Sequence, residues 1–297
     1  MFAGTRYDPY AFNPWLELRT CWLGRKEKEE AAEVLTDFED QAIAASKAYR
    51  LVGEQSFIRP FVVRKEPTPS FPMLIGTGNS LAWYGHGPWA YDLEPFQQLG
   101  ISPGDVIFDC GAHAGMMSAF FGFLAGPTGR VLAFDPFPQN ILQIRAQTRL
   151  NALENVEAIQ AAVGEARKRI DVSNLSQQSR DQGNLGHGDQ ITIDVLPLDE
   201  YFDRKPTFIK LDVEAAEVDA LRGARRILTG LRPTLFIEVH THMLGQFGHT
   251  LTDLFEAIAS DCYEIQYKSA SAPWQTYAPG AENGIKEPML VWAKERR

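Results

Sequence analysis

From about residue 101 the chain alternates short apolar runs with longer amphipathic stretches. The runs at 106–109, 131–134, 156–160, 208–212 and 234–239 read as strands, and the stretches 115–125, 138–150 and 214–229 read as helices between several of them. Such alternation predicts an α/β fold with a mostly parallel, doubly wound sheet, because parallel strands need a crossover that lays a helix on one face or the other. Two later segments, 262–267 and 288–293, carry Tyr, Ile and Val, and the stretch 268–287 between them has no helical period. A C-terminal antiparallel hairpin suits them.

Upstream, Leu35, Phe38, Ala42, Ala45 and Tyr49 recur at helical steps with Lys and Glu on the other faces, which predicts a helix within 26–50. Pro60, Pro67, Pro69 and Pro72 interrupt the next stretch, so 51–80 reads as loops or short strands. Residues 1–100 are expected to form a helical and irregular N-terminal extension or lid, and 101–297 the main domain. Ser173–Gln190 is polar and glycine-rich. It reads either as a surface loop or as a loop over the strand ends that shapes a pocket.

The composition, 44% hydrophobic and 23% charged over 297 residues, is that of a globular protein. A net charge of −9 argues against a nucleic-acid partner, which wants a basic surface. The Arg222, Arg225 and Arg226 group reads as a solvated helix face. Three unspaced cysteines, Cys21, Cys110 and Cys262, suggest neither a disulfide framework nor a zinc site. The start MFAGTRYDPY lacks the features of a signal peptide, and Met116–Ala125 is too short to span a bilayer. A cytoplasmic protein with no membrane span is the expectation, and a homo-oligomer is compatible with it.

The chemistry concentrates at two strand ends. The first strand closes on Asp109 and runs into the turn Gly111-Ala112-His113-Ala114-Gly115; the second closes on Asp135, followed by Pro136. An acid closing the second strand of such a sheet is placed to bind the hydroxyls of an adenosine ribose. The turn lacks the middle glycine of G-x-G-x-x-G, which lets backbone approach a pyrophosphate. An adenosine without a pyrophosphate is therefore expected. S-adenosylmethionine (SAM) fits, and a methyltransferase is the leading reading. A nicotinamide-dependent oxidoreductase and a non-catalytic protein of the same fold are the alternatives; the first wants the missing glycine, the second the loss of acids that are present.

The ordered segments DCGAHAG (109–115), FDPFPQN (134–140), QAAVGE (160–165), VLPLDEYF (195–202), FIKLDVEAAEVDALRGARRIL (208–228) and RPTLFIEVH (232–240) resemble the FkbM family of SAM-dependent O-methyltransferases. The resemblance covers about 100–240 and is strongest at KLDVEAAE followed by LRGA. It departs from the family at His113, where Asn is common, at Asp135, where Glu is, and at Ala215, where the family has glycine. It implies a Rossmann-like seven-stranded methyltransferase sheet in the order 3-2-1-4-5 plus the hairpin. It also implies a hydroxyl acceptor on a sugar, glycan or natural-product small molecule.

On that frame, Asp109, Gly111, Ala112, His113 and Gly115 are expected to hold the methionine end of SAM, and Asp135 and Pro136 the ribose. The adenine is expected near Ala161, Ala162 and Val163. Asp109 could equally cap the following helix, and the alanines could be plain core. Asp212, closing the fourth strand beside the first, is expected to face the transferred methyl. As a base or as a metal ligand it would activate the acceptor hydroxyl; as a structural residue it would cap a helix begun by Glu217. His240 is the second candidate base, with Glu238 beside it. Asp212 and Glu238 could hold Mg²⁺, which prefers oxygen ligands; a His240, His242, His249 site is the weaker metal reading. Trp83, Tyr84, His86, Trp89 and Tyr91, with Glu94 following, form either an acceptor wall or packing between extension and core.

Overall fold

A computed structural model describes residues 25–49, 57–65, 71–77, 100–171, 192–258, 261–269, 273–282, 285 and 289–296. The aromatic group at 83–91, the segment 173–190, residues 1–22 and Cys21 lie outside the described residues. Cys110 and Cys262 are free thiols.

The main sheet is built on β3 (Val106–Cys110), β4 (Arg130–Asp135), β5 (Val156–Gln160), β9 (Phe208–Leu211) and β10 (Thr234–Val239). These pair in parallel in the order β5-β4-β3-β9-β10, which is 3-2-1-4-5. The sheet continues antiparallel through β13 (Met289–Glu295) to β11 (Tyr263–Ser269), as the hairpin reading expected. A two-residue edge strand, β12 (Gln275–Thr276), adds an eighth to the seven expected.

Period-two alternation sorts the two faces. Ile107, Val131, Phe208 and Phe236 pack on one side with α2 (Met116–Ala125). Phe108, Leu132, Ile209, Leu235 and Ile237 pack on the other with α4 (Glu217–Arg222), α5 (Arg225–Gly230) and α6 (Leu251–Ala257). Between β4 and β5 runs α3 (Pro138–Leu150), with proline in its first turn where no N–H partner is lost.

The N-terminal helix is as expected, and other elements differ from the expectation. Residues 51–80 contain a full antiparallel hairpin, β1 (Phe57–Lys65) and β2 (Phe71–Thr77), in spite of Pro60 and Pro72. It holds because Phe71, Met73 and Ile75 alternate inward and join the same cluster as Phe120, Phe208 and Phe236. The helix predicted within 26–50 is α1 (Arg25–Tyr49), which packs Leu35 and Phe38 against Leu74 and Ala146.

The single helix expected over 214–229 is instead a left-handed turn at Glu214 (φ 54°) and Ala215 (φ 77°), followed by α4 and α5. Gly223 lies at the break. A Cβ there would sit 2.0 Å from the Gly164 carbonyl oxygen, so the glycines of the QAAVGE and LRGA segments meet backbone to backbone. Beside this contact, β6 (Ala162–Val163), β7 (Lys168–Asp171) and β8 (Thr192–Leu196) form a small second sheet in the order β6-β8-β7, which the apolar pattern did not predict.

Candidate active site

The first strand ends in a turn tied to its neighbour. The N–H groups of Gly111 and Ala112 both donate to the Phe134 carbonyl at 3.0 Å, and that of His113 donates to Asp135 Oδ2 at 2.9 Å. Gly111 (φ 77°) has no alternative: a Cβ would lie 1.8 Å from the Asp212 carbonyl oxygen. The close approach its bareness allows is therefore between the ends of β3 and β9. Gly115 (φ 81°) precedes α2 and passes 3.0 Å, at a hypothetical Cβ, from Ile144 Cα of α3. Because Gly115 is the residue that caps α2, Asp109 is not the helix cap.

Asp135 is buried, and Oδ1 also accepts from the Phe137 N–H at 2.9 Å and Asn140 Nδ2 at 3.0 Å. Burial pushes its carboxyl up to about 7 in spite of these three donors. Burial also lowers the His113 imidazole to about 4. The acid expected at the ribose thus clasps the turn in which the methionine end of the cofactor was expected. Of the remaining expected binders, Ala112 is buried in the turn against Ile141 and Ile144, Pro136 links β4 to α3, and Ala162 forms β6 beside β4.

Lys210, to which the sequence pattern assigned no role, is the centre of the site. It is buried on β9, between the ends of β3 and β9. Its Nζ donates to the Gly111 carbonyl at 3.1 Å and lies 3.3 Å from Asp109 Oδ1 and 3.5 Å from Asp212 Oδ2. Asp109, wholly buried, accepts from Ser118 Oγ of α2 at 2.6 Å through its other oxygen. One ammonium thus joins the turn, the strand-one acid and the strand-four acid. Its traces in sequence are a lysine inside the apolar run FIKL and its place at the head of the KLDVEAAE segment.

A second group forms where β10 ends. His240 Nδ1 lies 3.1 Å from Glu217 Oε1, and Nε2 lies 3.3 Å from Glu214 Oε2 and 4.0 Å from Asp212 Oδ1. Glu217, wholly buried at the start of α4, also accepts from the Ala215 N–H at 3.1 Å. Burial alone would lower the His240 imidazole, but the Glu217 hydrogen bond and the charges of Glu214, Glu217 and Asp212 raise it to about 9. Glu238 is pushed up to about 7, by burial first and then by the charge of Asp212. Asp212, Glu238 and His240 each turn one ligand atom toward the others, all within 4.8 Å.

The structure therefore brings together Asp109, Gly111, Asp212, Glu238 and His240 at the carboxyl edge of the sheet. It does not bring together the three histidines. His249 Nε2 pairs with Asp219 Oδ1 at 3.0 Å, and the His242 ring lies 6.4 Å from that of His240. Lys210, Glu214 and Glu217 complete the site, and the sequence pattern had assigned them no chemistry.

Parallel strands in this order, with acids gathered at the carboxyl edge, define a doubly wound α/β protein, a class in which ligands bind in the crevice at the carboxyl ends of the strands. The chain belongs to the methyltransferase FkbM domain family, whose model matches residues 109–265. Among solved structures it is similar to the methyltransferase FkbM from Methylobacillus flagellatus KT, at 20% identity and a TM-score of 0.45, over 94% of this chain and 58% of that one. The chain thus spans less than two thirds of that relative's length. It is also similar to a putative rRNA methylase from Clostridium thermocellum, at 15% identity and a TM-score of 0.43, covering 68% of this chain and 93% of that one. A SAM-dependent O-methyltransferase from Thermotoga maritima matches at 12% identity and a TM-score of 0.38, over 80% and 78% of the two chains. No curated protein matches the chain. Among the described residues, no helix is long and apolar enough to cross a membrane.

Proposed function

We propose that the protein transfers the methyl group of SAM to a hydroxyl oxygen of a small-molecule or glycan acceptor. The observation that carries the reading is the juxtaposition, in a methyltransferase domain, of the β3 turn with Asp212, Glu238 and His240 at one strand edge. SAM supplies a methyl group on a sulfonium, and the residues present suit that cation. Asp109, Asp212, Glu214 and Glu238 outnumber Lys210 and His240 around the turn. Among the described residues, buried Asp109 Oδ1 has no hydrogen-bond partner beyond the ion pair with Lys210. On this reading the turn from Asp109 to Gly115 receives the methionine end. Asp135 and Pro136 border the ribose, and Ala162 borders the adenine.

An alcohol must lose its proton as the methyl arrives, and unassisted alcohols are far too weak as acids. Asp212, Glu238 and His240 are the groups in place to take that proton directly, or to activate the oxygen through a divalent cation such as Mg²⁺ held by Asp212 and Glu238. His240 is oriented by Glu217 as a base would be. However, the imidazole already carries a proton at neutral pH, which weakens it in that role.

The test incubates the protein and SAM with a panel of sugars, polyols and hydroxylated natural products, with amines and nucleic acid as comparison acceptors, and follows S-adenosylhomocysteine and a 14-dalton mass gain (about one CH₂) by mass spectrometry. Acceptor-dependent formation of both products is expected. Methylation confined to amine or nucleic-acid acceptors would overturn the hydroxyl assignment.

A further inference from the structure

We propose that Asp212, Glu238 and His240 form a mononuclear site for a divalent transition metal of the Mn²⁺ type, with Glu217 and Lys210 orienting two of the three ligands. The binding claim stands on these side chains alone; the use of the cation to acidify the acceptor hydroxyl rests on the methyl-transfer reading.

Two of the ligands have one polar atom already engaged. His240 is buried, and Nδ1 faces Glu217 Oε1 at 3.1 Å. Glu217 is wholly buried and fixed from its own side by the Ala215 N–H. A carboxylate in that position accepts the Nδ1–H hydrogen bond, so that when a metal displaces the Nε2 proton the Nε2 lone pair becomes the ligand, which is how metal-bound imidazoles are held. Nε2 points toward Asp212 Oδ1, 4.0 Å away. Asp212 is held in the same manner, since Oδ2 is taken by Lys210 Nζ at 3.5 Å and Oδ1 is left facing the imidazole. Both ligands thus have their far atoms occupied and their near atoms converging.

Glu238 supplies the third donor on the adjacent strand end, within 4.8 Å of the other two. Two carboxylates this close repel each other. A dication between them would remove that repulsion, and the 4.0 Å between His240 Nε2 and Asp212 Oδ1 is a separation that two bonds of about 2.1 Å can span. Glu214 Oε2, 3.3 Å from Nε2, is the remaining acid facing the site and is placed to add an oxygen. One nitrogen with two or three carboxylate oxygens is a borderline donor set. Imidazole disfavours Mg²⁺, and the absence of thiolate disfavours soft ions.

The same geometry would also arise from a protonated imidazole locked between Glu214 and Glu217 with no cation, so the test must separate the two. Full-length protein is stripped with EDTA, dialysed, and titrated with MnCl₂ and MgCl₂ by calorimetry, with Mn²⁺ electron paramagnetic resonance as a second readout. One Mn²⁺ per chain is expected, with Mg²⁺ at least about tenfold weaker. His240→Ala and Glu238→Gln should each weaken Mn²⁺ binding by about tenfold or more, and Glu217→Gln by about 10–100-fold through loss of the ring's orientation. Asp219→Asn, which alters the partner of His249, should leave Mn²⁺ binding unchanged. Glu238 is only partly buried, so its variant stays readable if His240→Ala does not fold by circular dichroism. No saturable Mn²⁺ binding to the folded protein, undiminished binding in Glu238→Gln, or equal affinity for Mg²⁺ would each overturn the site. SAM binding measured on the same preparation keeps the two claims apart: protein that binds SAM but takes up no Mn²⁺ when titrated sinks the metal site and leaves the transferase reading standing.

Discussion

Ala215 holds φ 77° where the FkbM family has glycine, and its N–H is fixed on Glu217. A Cβ in left-handed backbone costs about 1–2 kcal/mol, and glycine avoids it. Ala215→Gly is therefore expected to raise unfolding stability by about 1 kcal/mol in urea denaturation, with the His240–Glu217 contact kept. An unchanged or lower midpoint would mean that the turn is not strained. The acids of the site were legible because Asp109, Asp135, Asp212 and Glu238 each close an apolar run, where a doubly wound sheet puts its chemistry. Their partners were not. Lys210 sits inside an apolar run, and only the neighbouring strand shows that it reaches Asp109 and Gly111. Glu217 reads as an ordinary first-turn acid until β10 brings His240 against it. Asp135 was legible as an acid in the right place, but not as the clasp that holds His113, Phe137 and Asn140.

At the level of elements, the N-terminal hairpin shows how side chains can stand in for a strand. Gln147 of α3 accepts from the Leu74 N–H at 2.9 Å and donates to the Leu74 carbonyl at 2.8 Å, and Gln143 accepts from the Gly76 N–H at 3.1 Å. Leu74 is wholly buried, so Gln147→Ala strands both backbone groups away from water. A loss of about 2–6 kcal/mol is expected, at about 1–3 kcal/mol for each buried group left unmade. A loss of unfolding free energy below about 1 kcal/mol in urea denaturation would show the hairpin to be loosely docked. The prolines hid this hairpin at the level of sequence. The alternation of Phe71, Met73 and Ile75 was the available signal, and its weight came only from the α2 face it covers. The single helix read over 214–229 failed for a different reason: the Gly223–Gly164 contact is long-range and leaves no mark in local periodicity.

Over the whole molecule, burial of charge near the sheet edge sets the pH response. His240 is raised from 6.5 to about 9, so the native state holds that proton more tightly. The stability this confers is full below about 6.5 and is lost as pH rises through about 9. Asp135 and Glu238, raised to about 7, make stability fall between about 4 and 7, while His113, lowered to about 4, opposes them over part of that range. The interval from 7 to 9 therefore belongs to His240. Metal-free protein should lose on the order of 2–3 kcal/mol across it, and His240→Gln should flatten that limb. An equally steep limb in the variant would remove His240 from the network. The parallel sheet and the C-terminal antiparallel strands were legible, because alternation of apolar runs with helical stretches is a whole-chain signal, whereas the strand order came from the family resemblance. The small second sheet was not, its strands being short and partly polar.

The central claim, that the carboxyl edge around Asp109 and Asp212 is a SAM site, is tested most directly by calorimetric titration of the full chain with SAM, S-adenosylhomocysteine and NAD. Saturable binding of the first two is expected and none of NAD, because Gly111 is packed against the Asp212 carbonyl and the turn lacks the middle glycine that would admit a pyrophosphate. Asp212→Asn, which alters the acceptor side of the site, should retain SAM binding. Saturable NAD binding with no signal from SAM would contradict the claim.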